Sequence, residues 1–365
     1  MRLVDRVWRI ASDAAGILPR AYTAVADGAL PLSPARARSV GEVVLDELAL
    51  TAMTLTAPPP RCDRSEPECA AVAAELSKLG VAEAHTEPKP LQIQDLRPRR
   101  LGSLRYQELV YEHDPGLPDA LAEFGGPATA VVRLCRTGEQ QRPWLVWVHG
   151  AGQGQPIDLL FSRARRLRDE LGYNVALPVQ PGHGPRRTAW PAYPNMDPLN
   201  NIAGQMRVVS EVRAVVRWLR PQAGAVVVAG VSMGSPVAAL VAHLEPVDGV
   251  AVYTPILGLN TMIARHLGRW GPSVRETAAL LASETVAAAA SVVDHTVVEP
   301  TAPQPNRLVV GAWHDRMARR DPAQLLHRRW GGELYWHRGS HVGHLFAPGV
   351  QRASERLLRR VIDGQ

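Results

Sequence analysis

Lysine is nearly absent from this chain: Lys78 and Lys89 are the only two among 41 basic residues. The basic charge is therefore arginine, and the formal net charge is +6. Arg163, Arg165, Arg166 and Arg168 alternate with apolar residues at helical spacing, as on a solvated helix face. No base-reading signature accompanies them, so a nucleic-acid partner is not expected. Arginine in place of lysine throughout reads as the composition of a GC-rich, bacterial coding sequence. Cysteine is scarce as well. Cys62, Cys69 and Cys135 make an odd count without metal-ligand spacing. That points to reduced thiols in a cytoplasmic protein with no bound metal, and leaves a Cys62–Cys69 disulfide as the open alternative.

Long apolar runs are missing too. Nothing approaches the roughly 20 uncharged apolar residues that a membrane span needs. Asp5, Arg6, Arg9 and Asp13 interrupt the first segment, so it does not read as a signal peptide. Leu3, Val4, Val7, Trp8, Ala11, Ala14 and Ala15 form an apolar stripe. Docking of that stripe on the rest of the chain is the expectation, and a peripheral membrane contact through residues 1–30 is the alternative. Internal repeats are not evident.

What is present is a chain of 365 residues, 46% hydrophobic and 21% charged, enough for one large core and an appendage. Residues 1–100 read as a helical extension with proline-rich joints, with helical runs over Val43–Met53 and Ala70–Leu79 divided by Pro58-Pro59-Pro60. From residue 101 the texture changes. Tyr106–Glu112 and Ala128–Cys135 read as an antiparallel pair of strands. Strands then alternate with helices: Trp144–Val148, Asn174–Val179, Ala225–Val231, Gly249–Tyr253, Arg307–Ala312 and Glu333–Trp336, with a closing helix over Val350–Ile362. Alternation of this kind predicts an α/β fold whose mostly parallel sheet is covered on both faces. Its active site is expected beyond the carboxyl ends of the strands. The core is expected over 101–255 and 307–365. The fifty residues between, 256–306, are too long for a simple connection and read as a helical cap or lid.

Three segments carry chemistry. Gly230-Val-Ser-Met-Gly234 follows an apolar strand and opens a helix-compatible run. A serine on so sharp a turn is exposed at a helix N-terminus, where developing negative charge is favoured. The glycines remove side chains that would strike the neighbouring strand and helix. Ser232 is the candidate nucleophile. Upstream, Trp147-Val-His-Gly-Ala-Gly152 ends another strand. Acyl transfer needs two fixed N–H donors for a tetrahedral oxyanion, and Met233 and Ala151 are the candidates, with Gly152 as alternative. A serine also needs a base held by a third group. Asp315 at the end of one later strand and His341 after the next supply them in the order Ser, Asp, His. Asp294 and Asp321 are substitutes for the acid, and His344 competes with His341. His314 and His337 read as structural. His149, Gly150, His183, Trp190 and Tyr193 are candidates for the substrate pocket.

These residues resemble the alpha/beta-hydrolase superfamily over roughly residues 101–362. The likeness lies in His149-Gly150, Pro181-Gly-His-Gly184, Gly230-Val-Ser-Met-Gly234, Asp315 and Gly339-Ser-His341. It implies an eight-stranded, mostly parallel sheet and no cofactor, and it favours His341 as the base. The helical region before residue 100 has no counterpart in minimal members. The expected activity is hydrolysis of a small-molecule carboxylic ester or thioester with an apolar acyl group. A peptidase, an acyltransferase or a non-catalytic binding protein on the same fold are the alternatives.

Overall fold

The computed structural model describes residues 11–25, 34–55, 61–187 and 192–364. Leu3, Val4, Val7 and Trp8 of the apolar stripe, half of the segment 1–30, and Trp190 lie outside these residues. Among the described residues no single helix is long and apolar enough to cross a membrane.

The region before the sheet holds helices α1 (Ile17–Val25), α2 (Pro34–Leu55), α3 (Glu66–Leu76) and α4 (Val81–Ala84). Helix α3 starts where Ser65 and Glu68 cap each other's backbone amides, and Pro67 sits in its first turn, where a missing N–H costs nothing. The sheet has nine strands in the order β1-β2-β3-β5-β4-β6-β7-β8-β9. These are β1 (Gln92–Leu101), β2 (Leu104–His113), β3 (Ala128–Cys135), β4 (Trp144–Val148), β5 (Asn174–Val179), β6 (Val226–Val231), β7 (Gly249–Tyr253), β8 (Arg307–Ala312) and β9 (Glu333–His337). β1, β2, β3 and β5 pair antiparallel, and every pairing from β5 to β9 is parallel. The mostly parallel sheet expected from the alternation is present.

Two expectations need correction. The sheet has nine strands rather than eight, and the ninth is β1, which lies inside the segment read as wholly helical. β1 is an edge strand, and Arg97, Pro98, Arg99 and Arg100 leave it almost fully exposed. Such an edge has no buried face to impose an alternating pattern, so periodicity gives no sign of it. After β4 come two short helices, α5 (Asp158–Phe161) and α6 (Ala164–Glu170), separated at Arg163 with φ +58°.

One face of the sheet is covered by α7 (Pro198–Leu219), α8 (Gly234–Leu244) and α12 (Asp321–Trp330), the other by α5, α6 and α13 (Pro348–Asp363). The segment 256–306, read as a cap, contains α9 (Leu259–Leu267), α10 (Arg275–Leu281) and α11 (Glu284–Ala289). It also meets the amino-terminal region: the Cys62 amide donates to Thr277 Oγ1 at 3.3 Å. All three cysteines are free thiols. Helix α7 is unusual in burying 20 of its 22 residues. Its charges are answered inside the protein. Arg186 reaches both carboxylate oxygens of Glu211 at 2.6 and 2.8 Å. Arg213 meets Glu245 at 2.7 Å. Arg207 donates to the carbonyls of His113 and Gly126. A buried charge without such partners would cost several kcal/mol.

The parallel register fixes where the loops emerge. Val148 lies opposite Gly230, Val231 opposite Tyr253, Tyr253 opposite Val310 and Ala312 opposite His337. The strands therefore end together, and the segments carrying His149, Ser232, Asp315 and His341 leave from one edge.

Candidate active site

Ser232 follows β6 and precedes α8, with φ at +52°. A non-glycine residue in this region is strained by about 1–3 kcal/mol and persists only where its surroundings hold it. The surroundings are tight. A Cβ at Gly230 would strike the Gly234 carbonyl and come within 2.8 Å of the Ala238 side chain, and one at Gly234 would strike the Val148 carbonyl and lie 2.6 Å from that of His149. The Ser232 amide donates to the Tyr253 carbonyl at 2.9 Å, and Ser235 Oγ donates to the carbonyls of Gly230 and Tyr253. The turn is thus locked from both sides, and the Ser232 side chain stays partly exposed at its tip.

The loop after β4 lies against this turn. A Cβ on Gly150 would be 3.3 Å from Ser232 Cβ. The Gly150 amide is already taken, donating to Gln153 Oε1 at 2.6 Å. The amides of Ala151 and Met233 donate to no protein acceptor among the described residues.

After β8, Asp315 is held by its own turn. Oδ1 accepts from the amides of Met317 and Ala318 at 2.8 and 2.7 Å, and Oδ2 meets His341 Nδ1 at 2.8 Å. Both side chains are buried, and His341 Nε2 has no hydrogen-bond partner. Burial pulls the His341 pKa down, but the charge and hydrogen bond of Asp315 and the charge of Asp46 outweigh it, so the imidazole stands above its ordinary 6.5. Backbone bonds tie the two loops together beyond the strands, from Trp313 to His337 and from His314 to Gly339.

The competitors occupy other positions. His344 turns Nδ1 back to the His341 carbonyl and stacks on Tyr253 with ring centroids 6.0 Å apart. Burial brings its pKa down to about 3. Asp294 is engaged with Thr296, and Asp321 sits in the first turn of α12. His337 pairs with Glu42 at 2.7 Å.

Of the residues expected to line a pocket, His149, His183 and Tyr193 pack on one another. His149 uses both ring nitrogens, Nδ1 donating to the Gly150 carbonyl at 2.7 Å and Nε2 accepting from the Gln180 amide at 3.1 Å. Burial brings its pKa down to about 3. His183 lies 5.1 Å from His149 and 6.4 Å from Tyr193, ring centre to ring centre, and is bonded to the Pro181 carbonyl. The Tyr193 ring fills the space that a side chain on Gly204 of α7 would need, so it belongs to the core. These rings back the loop that carries Gly150. Among the described residues no cluster of three or more His, Cys, Asp or Glu is placed to hold a metal ion.

Sequence reasoning missed one group at the site. Glu42, Asp46 and Glu47 on α2 reach the loops that carry Asp315 and His341. The spacing places Glu42 and Asp46, four residues apart, on one helical face, which was the available signal, but nothing local says what that face meets.

The model of the alpha/beta hydrolase family matches residues 145–363, more than half of the chain. The chain belongs to this family. Two uncharacterised proteins from strains of Mycobacterium tuberculosis are each 33% identical over 230 residues, covering 60% of this chain. The match spans 55% of those relatives, so about half of their length is shared with this alpha/beta hydrolase. Among solved structures, the acetyl xylan esterase from Paenibacillus sp. R4 is similar with a TM-score of 0.51 at 18% identity, over 82% of this chain and 96% of that one. Acetyl xylan esterase 1 from Thermoanaerobacterium sp. JW/SL YS485 is similar with a TM-score of 0.52 at 12% identity, over 84% and 96%. At these identities the likeness is one of fold.

Proposed function

We propose that this alpha/beta hydrolase cleaves a carboxylic ester or thioester through an acyl-enzyme on Ser232. The observation that carries the reading is the 2.8 Å bond between Asp315 Oδ2 and His341 Nδ1, with the other ring nitrogen buried and unpartnered. In that arrangement Asp315 keeps Nδ1 protonated, so Nε2 presents its lone pair as general base. His341 takes the Ser232 proton as Oγ attacks the carbonyl. The amides of Met233 and Ala151 receive the oxyanion, each worth about 2.7–4 kcal/mol in such sites. His341 then returns the proton to the leaving group, and water repeats the sequence to release the acid.

Support for an apolar acyl group comes from a cavity of about 330 Å³ between the cap and helices α7 and α8. Ile202, Pro236, Leu257, Leu259, Leu281 and Val286 line it, and Pro236 lies in the first turn after the nucleophile. The wall is mostly apolar, interrupted by Asn201, Gln205, Asn260, Thr261, Asp294 and Thr296, and an apolar wall suits an acyl chain. Reaction with a fluorophosphonate probe tests the nucleophile. The wild-type chain is expected to be labelled at Ser232 and Ser232→Ala to remain unlabelled. Labelling that survives the substitution would sink the assignment. Nitrophenyl esters of graded chain length then read the cavity, with hydrolysis expected to favour apolar acyl groups over acetate.

A further inference from the structure

Helix α2 lies outside the stretch that matches the family, yet it touches the catalytic loops more directly than any core helix. Asp46 is fully buried. Its Oδ2 accepts from the amides of His341 at 2.9 Å and Arg316 at 3.2 Å, and its Oδ1 accepts from the Val342 amide at 2.9 Å. One carboxylate therefore grips the backbone immediately after Asp315 and the backbone of His341 itself. Glu42 supports the same loop: Oε2 meets His337 Nε2 at 2.7 Å and accepts from the Ser340 amide, and its carbonyl accepts from Ser340 Oγ at 2.8 Å. Glu47 collects Arg20, Arg269 and Arg316, fastening α2 to α1, to the cap and to the acid loop.

Asp46 differs from its neighbours in having no arginine. The Arg316 side chain goes to Glu47, and no ion pair to Asp46 forms among the described residues. Burial and the charge of Asp315 raise the Asp46 pKa above its ordinary 3.8, while the three N–H donors that both of its oxygens face, and the charge of a protonated His341, favour the ionised carboxylate. The cation it faces is the one His341 becomes when it takes a proton. The charged and titratable groups around that ring are Asp315, Asp46 and His344, with His337 behind them held by Glu42. A buried anion whose counter-charge appears only as the reaction proceeds stabilises the transition state more than the resting enzyme.

We infer that α2 positions the histidine of the hydrolase, with Asp46 as the positioning residue and Glu42 as its support. Asp46 sets the spacing of the acid and base loops and adds a second negative charge beside the imidazolium. The inference rests on the Ser232 hydrolase reading, and the two fail differently. The test follows the rate of fluorophosphonate labelling against pH for the full chain and its variants. Asp46→Asn keeps the shape and removes the charge. Its rate is expected to fall about tenfold, the order of effect expected when a catalytic group shifts by a fraction of an ångström. The acid limb of its profile should move to lower pH. With an ester substrate, kcat should fall while KM holds. A labelled wild type with a superimposable Asp46→Asn profile would overturn the positioning role alone. A wild type that is not labelled at Ser232 would overturn both. Should Asp46→Asn not fold, Glu42→Gln decides: a loss of about threefold supports the inference, and a wild-type rate overturns it.

Discussion

Two carboxylates hold the same histidine, one by its ring and one by its backbone, and they belong to regions of very different character. Asp315 comes from the strand-and-helix core and binds the His341 ring. Asp46 comes from the helical region that precedes the sheet and binds the His341 backbone. The core side is assembled by register, because strands that end together deliver their loops to one place. The α2 side is assembled by docking, through one buried helix face and a group of arginines. In the proposed mechanism the first region supplies the chemistry and the second the spacing.

The largest effect should come from the core side. Asp315→Asn keeps the shape of the acid but disturbs the tautomer of His341, and kcat should fall by about 10⁴-fold, as for the corresponding change in serine proteases. A loss no larger than that of Asp46→Asn would erase the distinction between the two carboxylates. Next in size is the hold of α2. Glu47→Ala leaves Arg20, Arg269 and Arg316 without their shared partner. Those arginines retain some exposure to water, so the expected loss is about 2 kcal/mol in a denaturant melt, short of the 3–5 for a fully buried pair.

Acid should separate the regions as well. Burial raises the Glu47 pKa, and the hydrogen bonds and charges of Arg269, Arg20 and Arg316 lower it further than that, so it ends below the ordinary 4.5. Its contribution is therefore complete above about pH 4.5 and fades as pH falls through the folded value. Hydrogen exchange of α2 amides should accelerate in that range before exchange of β6 amides does. Simultaneous opening would mean that the two regions unfold as one. At the site itself the sign is opposite. His341 must be neutral to accept a proton and its pKa is raised, so the acid limb of kcat/KM should lie above pH 6.5. The smallest effect is at the nucleophile. Ser232→Gly abolishes activity but relieves a positive φ, and should stabilise the fold by about 0.5–1 kcal/mol.

The same division explains what was legible in the sequence. Ser232, Ala151 and Met233 were legible as candidates because each follows an apolar strand directly in the chain. The strand before Ser232 is buried on both faces and carries the small and β-branched residues that such a position requires. Between His341 and His344 the family resemblance favoured His341, but three residues of spacing alone do not say which ring faces Asp315. The fold answers it by turning His344 back onto the carbonyl of His341. β1 left no trace because its arginines and proline carry no alternation. Asp46 was out of reach for a simpler reason: its bond to His341 spans 295 positions. No motif encodes a contact of that length.

Helix α7 carries a consequence for how this molecule can change over time. Residues 85–86, 113 and 126, together with the segment 256–306, accept hydrogen bonds from its polar side chains. A surface helix drifts freely on its outer face, since water accepts most replacements. With 20 of 22 residues enclosed, α7 has almost no such face. Substitutions at Arg207, Glu211 or Arg213 must be answered by a second change in another element. Among relatives that keep the accepting segments, this helix should evolve slowly and in step with its partners; where those segments are lost, its buried arginines should be among the first residues replaced.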